Sequence, residues 1–411
     1  MTILLHLAEP ERTRPGRPHW RAWLALGFRP FYLLGTAWAA AAIALWIFVP
    51  QWLPSTLGAL PWHAHEMLWG FVATIAVGFL MTAGGNWTGI NPLPVPALGV
   101  AVVLWIVARA GLLVDHPAAF AVGAFADVAF FVLAAAALGR AVWRARNVRN
   151  AGLPLALLGL AVADAAFLWR VQAGDAGSAL AWVHTGIWVM GLIALLIARR
   201  VTPFFAMRAV PGLQIPLHQK SGSVQLVATG VALLAGLAGV DLLAVPALAT
   251  AGGIALWQVA TWRPLAVRSR PILWVLYLGH AGIGLGLLVA ALQLAARSGW
   301  WWPDAASGWA QRHAVHVHVL AMLGFAVLII GMVTRTALGH LGRALTLDRS
   351  MVASYGLVIA AALLRLAAFA DTPLMPWLLR ASALAWIAAF VLYLWRFAPW
   401  LVRPRIDGRP G

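Results

Sequence analysis

Cysteine is absent from the 411 residues of this chain. Its absence excludes disulfide bridges, thiolate zinc sites, iron–sulfur clusters and a cysteine nucleophile. Covalent attachment of a c-type haem is excluded as well, because that linkage requires cysteine. Any haem in this protein would therefore be bound non-covalently.

Charged residues are also scarce, at 10% of the chain, whereas hydrophobic residues make up 63%. A soluble domain could not bury so much apolar surface, and the mean hydropathy of +0.85 indicates a polytopic membrane protein surrounded by lipid. The polar N-terminal segment leads directly into a full-length span, which argues against a signal peptide. We therefore predict one membrane domain at 31–398, between a cytoplasmic segment at 1–30 and a cytoplasmic tail at 399–411.

Apolar runs of about 20 residues recur along the whole chain and predict an all-α fold of twelve transmembrane helices. The predicted spans are 31–49, 63–83, 95–114, 118–139, 152–171, 178–198, 222–240, 245–262, 272–294, 313–335, 350–369 and 376–398.

The 29 lysines and arginines are distributed unevenly over this topology. With the N-terminus in the cytoplasm, 23 fall on the cytoplasmic side. Three fall on the outer side, and three more, Arg109, Arg170 and Arg365, lie in outer helix halves. This asymmetry follows the positive-inside rule and places both termini in the cytoplasm. It also accounts for the net charge of +17 without a nucleic-acid partner.

Spans 2 and 10 share a pattern. HAHEMLWGF at 63–71 and HVHVLAMLGF at 316–325 both read His-x-His followed by Gly-Phe. Span 6 shares this pattern only in part, with His184 near its start. His63, His184 and His316 are separated by 121 and 132 residues, close to a four-helix period. The pattern suggests three pseudo-repeated four-helix arcs.

Six of the twelve histidines lie at the outer ends of spans 2, 6 and 10: His63, His65, His184, His313, His316 and His318. Amphipathic rings also gather at membrane interfaces without any function. However, polar groups inside a bilayer are costly and usually functional, and neutral imidazole binds haem iron, copper and zinc.

Helix geometry limits how these histidines can act. Histidines two residues apart point about 200° apart on a helix, so each His-x-His can serve two centres on opposite sides. His313 and His316 instead share a face. Glu66, which directly follows His65, either orients a histidine or carries protons.

The arginines in outer helix halves have two interpretations. Arg109, Arg170 and Arg365 could pair with the propionates of haem, since guanidinium groups suit carboxylates at low dielectric. Alternatively, they extend to the lipid headgroups. Asp127 and Asp164 lie inside spans 4 and 5 and are expected to pair with Arg170 or an asparagine.

Several motifs resemble those of the NnrS family of bacterial membrane proteins. They are FRPFY at 28–32, WHAHEM at 62–67, NWTG at 86–89, RVTPFF at 200–205 and TRTALGHLGR at 334–343, in which Leu341 replaces the family's threonine. The resemblance runs from about residue 28 to the C-terminus. It implies a twelve-span inner-membrane protein that contains haem and copper and takes part in the response to nitric oxide.

The layout is also similar to that of haem–copper oxidases and nitric oxide reductases, which have histidine ligands at the outer ends of helices 2, 6, 7 and 10. Span 7 here has no histidine, and His184 lacks the accompanying tyrosine or glutamate. A copper or second-iron site therefore cannot be a plain copy.

We predict one or two b-type haems. His63 or His65, together with His318, would ligate a low-spin haem. His316 would face a second centre of copper or non-haem iron, with His184 and either His313 or the remaining histidine of span 2. A copper-only site is the alternative.

Two classes of function compete. As an enzyme, the protein would reduce nitric oxide to nitrous oxide with electrons from quinol or a donor protein, and Glu66 would supply protons. As a binding protein, it would sense or sequester nitric oxide or handle copper. The motifs at the cytoplasmic helix ends either lock and cap those ends or admit protons or quinol; they include Arg29, Asn86, Thr202, Arg335 and His340.

Overall fold

The computed structural model describes residues 16–300, 312, 314–370 and 372–407, and these form helices joined by short loops, with no strand among them. Twelve long helices follow one another: α1 (Phe28–Phe48), α2 (Ala59–Thr88), α3 (Val95–Gly111), α4 (Pro117–Arg144), α5 (Gly152–Gln172), α6 (Ala176–Ala209), α7 (Gln219–Ala238), α8 (Asp241–Thr261), α9 (Pro271–Arg297), α10 (Ala314–His340), α11 (Arg349–Ala367) and α12 (Met375–Leu401).

Every predicted span coincides with one of these helices, so the all-α, polytopic fold is confirmed. In the described part of the chain, eleven helices are long and apolar enough to cross a membrane. The exception is α3, whose 17 residues extend about 25 Å at 1.5 Å per residue, close to a hydrocarbon core of about 30 Å.

The two ends of the described chain lie at the same end of the bundle. The amide of His19 donates to the carbonyl of Val402 at 2.9 Å. Arg29 donates to the carbonyls of Leu401 and Arg403, at 3.1 and 2.7 Å. A chain whose ends meet crosses the bundle an even number of times, so α3 counts as a crossing. We call this end the terminal end, and the opposite end, where His63 and His318 lie, the histidine end.

Among the described helices, consecutive ones pack against each other except α2 and α3, and α12 returns to pack against α1. The indole of Trp386 in α12 donates to the carbonyl of Ala39 in α1 at 2.9 Å. The helices thus close into a ring. The most deeply buried are α2 and α10, the two that carry His-x-His.

Both of these helices change their winding directly after the His-x-His motif. Residues Glu66–Ala73 in α2 and Val319–Ala326 in α10 form π-helix instead of α-helix. A π segment adds a residue to the turn and is frequently found at functional sites. The structure therefore extends the similarity between spans 2 and 10 from sequence to backbone conformation.

The terminal-end motifs make capping contacts. Besides the bonds of Arg29 to the end of α12, Arg405 donates to the carbonyl of His340 at 2.8 Å, and the guanidinium of Arg335 lies 3.9 Å above the ring of Phe205. The bonds of Arg29 and Arg405 satisfy carbonyls at helix ends, and the contact of Arg335 with Phe205 holds two helix ends together. They support the interpretation of the motifs as a lock for the helix ends.

Close packing of α9 against the π segment of α10 depends on glycine. A Cβ atom on Gly282 would meet the backbone of Leu323 and come within 2.7 Å of the amide nitrogen of Gly324. A Cβ on Gly286 would lie 2.8 Å from the Cα of Leu320. The two backbones therefore approach each other over about one turn.

We expect Gly282→Ala to lower the free energy of unfolding by about 1–3 kcal/mol, because the added methyl group pushes α9 away from α10. Gly253 in α8 is the matched control, since no atom of the described residues lies within 4 Å of the position that a methyl group would take there. Gly253→Ala should leave stability unchanged or raise it by up to about 1 kcal/mol through helix propensity. Thermal unfolding in detergent compares the two, and equal melting temperatures would contradict the prediction.

Candidate functional site

A cavity of about 300 Å³ opens between α1, α2, α6, α10, α11 and α12 near the histidine end. Its wall is almost wholly apolar and includes Trp46, Phe71 and Trp386. The polar side chains that line it are His63, His184, His318, Arg365 and Ser382. The three histidines come from α2, α6 and α10, the helices that share the sequence pattern. We call this space the histidine cavity.

Hydrogen bonds fix the ring state of two of these histidines. Nδ1 of His318 lies 2.7 Å from the carbonyl oxygen of Ala314, and Nδ1 of His184 lies 3.0 Å from that of Leu180. A carbonyl only accepts, so each neutral ring carries its proton on Nδ1 and a lone pair on Nε2. A metal-binding histidine commonly has this arrangement.

His63 is held differently. Its ring stacks on Trp46, with centroids 3.7 Å apart and planes inclined by 7°. Its Nδ1 is buried and meets no hydrogen-bond partner among the described residues. A buried polar atom without a partner is uncommon and calls for an explanation. A ligand in the histidine cavity would provide one.

Arg365 is the one arginine or lysine among the described residues that line this cavity. Its guanidinium lies 4.2 Å from the ring centre of Phe369. A cation at an apolar wall favours a ligand that carries a carboxylate, and arginine can bind such a group through two hydrogen bonds.

A second cavity, of about 500 Å³, lies on the other side of α10 and is lined by His316, His184, Trp188, Asp241 and Arg297, among others. The rings of His184 and His316 are 5.5 Å apart, and His184 lines both cavities. Nδ1 of His316 lies 2.7 Å from Oε1 of Gln293. That amide donates through Nε2 to the carbonyl of Arg312, so its oxygen accepts from His316.

His65 lies on the opposite face of α2 from His63, in a buried group of ionisable side chains. Its Nδ1 is 3.0 Å from Oε1 of Glu66, and its Nε2 is 2.9 Å from Oδ1 of Asp164 and 3.3 Å from Oδ2 of Asp127. Arg109 pairs with Glu66 at 2.6 Å and also with Asp127. We call these five residues the ionic cluster.

Four neighbouring helices build the ionic cluster, because α2, α3, α4 and α5 each supply a member. All five side chains are buried. Trp38 of α1 donates to Oε2 of Glu66 at 2.6 Å, and the ring of His65 stacks on Phe167. His65, Asp127 and Asp164 offer ligand atoms within 4.8 Å of one another, so the group could hold a metal ion.

The structure divides the predicted site residues among three places. His63, His184, His318 and Arg365 line the histidine cavity, His316 faces the second cavity, and His65, Glu66 and Arg109 belong to the ionic cluster. Of the two candidates in span 2, His63 shares the cavity of His318. His313 lies outside the described residues.

The expected pairing of Asp127 or Asp164 with Arg170 is wrong. Arg170 forms an ion pair with Asp175 at 3.6 Å, and both side chains are about half exposed. Six residues along α5 turn the side chain by about 240°, so Arg170 points away from the face that carries Asp164. Arg109, on the neighbouring α3, takes its place.

Sequence reasoning missed Asp127 and Asp164 as site residues. An acidic residue in the middle of a span is itself a functional signal, and it should have been given more weight. No signal identified Trp38 or Gln293, because their roles depend on how neighbouring helices are rotated.

The family comparison agrees with this picture. The sequence model of the NnrS protein family matches residues 22–405, nearly the whole chain. The chain therefore belongs to the NnrS family. A search of curated proteins finds no match.

We expect Arg109→Met to cost about 3–5 kcal/mol of stability, because it leaves the buried carboxylates of Glu66 and Asp127 without their arginine. Arg170→Met is the matched control: its ion pair is half exposed and should contribute about 0–1 kcal/mol. Thermal unfolding and the yield of folded protein compare the variants. If both variants are as stable as the wild type, the prediction that the ionic cluster stabilises the fold is wrong.

Proposed function

We propose that this member of the NnrS family binds b-type haem in the histidine cavity and reduces nitric oxide to nitrous oxide there. The observation that carries the proposal is the cavity itself, where histidines from α2, α6 and α10 and one arginine interrupt an apolar wall. Membership of the NnrS family connects the protein with the nitric oxide response. Haem binding and reductase activity go further than this connection and are what we propose.

The donor groups of the histidine cavity suit haem. His63 and His318 come from two different helices and would hold its iron, while Arg365 would bind a propionate. The Nε2 lone pair of His318 and the unpartnered Nδ1 of His63 support this choice. Haem held by these two histidines would supply iron that passes electrons, and the open position for nitric oxide would belong to a second metal.

A second metal would lie beside the haem. His184 and His316 both offer Nε2 lone pairs and have adjacent rings. Imidazole ligands suit copper or non-haem iron. His184 lines both cavities, so a metal held there would adjoin the histidine cavity.

The apolar wall suits a small, uncharged gas. The overall reaction joins two nitric oxide molecules with two electrons and two protons to give nitrous oxide and water. Holding both molecules in one enclosed space lowers the entropic cost of joining them. Glu66, on the side of α2 that is turned away from the cavity, would supply protons. Membrane quinol or a donor protein would supply electrons.

One observation favours a second candidate, in which nitric oxide or copper is bound without turnover. Among the described residues that line the histidine cavity there is no carboxylate, and protons from Glu66 would have to pass around α2. A protein that senses or sequesters nitric oxide, or handles copper, needs no such path.

We also propose an orientation in the bacterial inner membrane. The terminal end carries Arg29, Arg343, Arg396 and Arg405, and the positive-inside rule assigns this end to the cytoplasm. The histidine cavity would then lie toward the outer face of the membrane.

Purified protein should show the Soret absorption of b-type haem, and His63→Ala or His318→Ala should reduce haem content several-fold by removing an axial ligand. His116→Ala is the control, because that histidine caps α4 outside the cavity. Haem and copper are both quantified. Wild-type haem content in the two ligand variants would contradict the assignment, and protein with copper but no haem would support the copper-only alternative.

Addition of nitric oxide to the reduced protein under anaerobic conditions, with a quinol as donor, should yield nitrous oxide over many turnovers. Glu66→Gln should lower the rate at least tenfold, because it removes the proposed proton donor. Asp175→Asn, a change in an exposed loop, should keep the wild-type rate. Nitric oxide binding at one equivalent without product would instead support the binding role.

A further inference from the structure

We propose that His65, Asp127 and Asp164 form a binding site for a divalent metal cation, separate from the histidine cavity, and that Glu66 positions His65 within it. The site does not depend on the proposed haem, since α2 lies between the two places. Four observations support it: the charge of the ionic cluster, the spacing of its ligand atoms, its unpartnered oxygens and the orientation of His65.

If His65 is neutral and the three carboxylates are ionised, the formal charges of the ionic cluster do not balance. Glu66, Asp127 and Asp164 contribute three negative charges, Arg109 contributes one positive charge, and a neutral His65 contributes none. The sum is minus two, in a place where every member is buried and lipid surrounds the bundle. Uncompensated charge is unfavourable in such surroundings. One divalent cation brings the sum to zero.

Two of the three distances between the ligand atoms fit a coordination shell, and all three atoms lie within 4.8 Å of one another. Nε2 of His65 is 2.9 Å from Oδ1 of Asp164 and 3.3 Å from Oδ2 of Asp127. Metal bonds of about 2.0–2.2 Å place neighbouring ligand atoms about 2.8–3.6 Å apart in octahedral or tetrahedral geometry. Three helices, α2, α4 and α5, supply one ligand each.

Two carboxylate oxygens of the site remain unused. Oδ1 of Asp127 and Oδ2 of Asp164 are buried and find no hydrogen-bond donor in the part of the chain that the structure describes. A buried carboxylate oxygen normally has a partner. Two such atoms, on the two aspartates beside one histidine, indicate that a cation completes the group.

Glu66 holds His65 in the orientation of a metal ligand. Its Oε1 lies 3.0 Å from Nδ1 of His65 and accepts from it, so Nε2, which lies 2.9 Å from Oδ1 of Asp164, is the nitrogen that would offer its lone pair to a bound cation. A carboxylate behind a histidine is the usual support of a metal ligand. Trp38 and Arg109 each bind Oε2 of Glu66 at 2.6 Å and fix that carboxylate.

The donor set selects the cation by chemical class. One imidazole and two carboxylates, without a thiolate, suit Zn²⁺, Fe²⁺ or Mn²⁺ better than Cu⁺, which prefers sulfur ligands. The competing explanation is that two protons balance the charge, one on His65 and one on a carboxylate. The two explanations differ in whether a metal ion is bound.

Mn²⁺ is the probe for the test. Full-length protein is stripped with a chelator and titrated with Mn²⁺, and pulsed electron paramagnetic resonance then reports the nitrogen ligands. We expect one bound Mn²⁺ per chain, coupled to a single histidine nitrogen, with at least tenfold weaker binding in Asp164→Asn and Asp127→Asn. Asp175→Asn should bind as the wild type does. Melting temperatures establish that the aspartate variants are folded.

Two results would overturn the proposal. One is an aspartate variant that melts like the wild type and binds Mn²⁺ equally well. The other is a wild-type protein that takes up no Mn²⁺ or Zn²⁺ and whose melting is insensitive to both, which would leave protons to balance the charge. His63→Ala and His318→Ala should not alter Mn²⁺ uptake, so a failure of the haem proposal remains distinguishable from a failure here.

Discussion

Hydrocarbon offers no hydrogen-bond partner, so each polar side chain inside this bundle must find its partner within the protein. This constraint explains where the polar groups lie. Arg109 reaches across to carboxylates on two neighbouring helices, and Arg29 reaches the carbonyls that end α12. Polar atoms that remain without a described partner, such as Nδ1 of His63 and Oδ1 of Asp127, therefore mark places where something else is expected to bind.

In each of the two helices, the His-x-His motif contributes one histidine to each of two separate polar sites. Because alternate residues of a helix point in nearly opposite directions, α2 presents His63 to the histidine cavity and His65 to the ionic cluster. In α10, His318 faces the same cavity and His316 faces the second one. Both helices change to π-helix directly afterwards. The cavity thus lies between two similar helices, each with another polar site behind it.

Much of this arrangement could be predicted from the sequence, because it depends on local rules. Span length predicts the twelve helices, and the angle between alternate residues predicts the division of each His-x-His. The partners of Asp127 and Asp164 could not be predicted, because they depend on how α3, α4 and α5 are rotated against α2. The same holds for Gln293, whose amide sets the ring state of His316. Rotation between helices is fixed by packing across the whole ring, which no single segment contains.

The distribution of the histidines also changes how many separate sites we assign to them. From the sequence, the six histidines are shared between a haem and a second metal centre, whereas the structure divides the described ones among three groups with different surroundings. The histidine cavity is apolar, the ionic cluster holds three carboxylates, and the second cavity joins the first through His184. An apolar space suits a neutral gas, whereas a carboxylate group suits a cation or protons. Since Glu66 contacts His65 and directly precedes the cavity-lining Met67, α2 is the helix that separates the two environments.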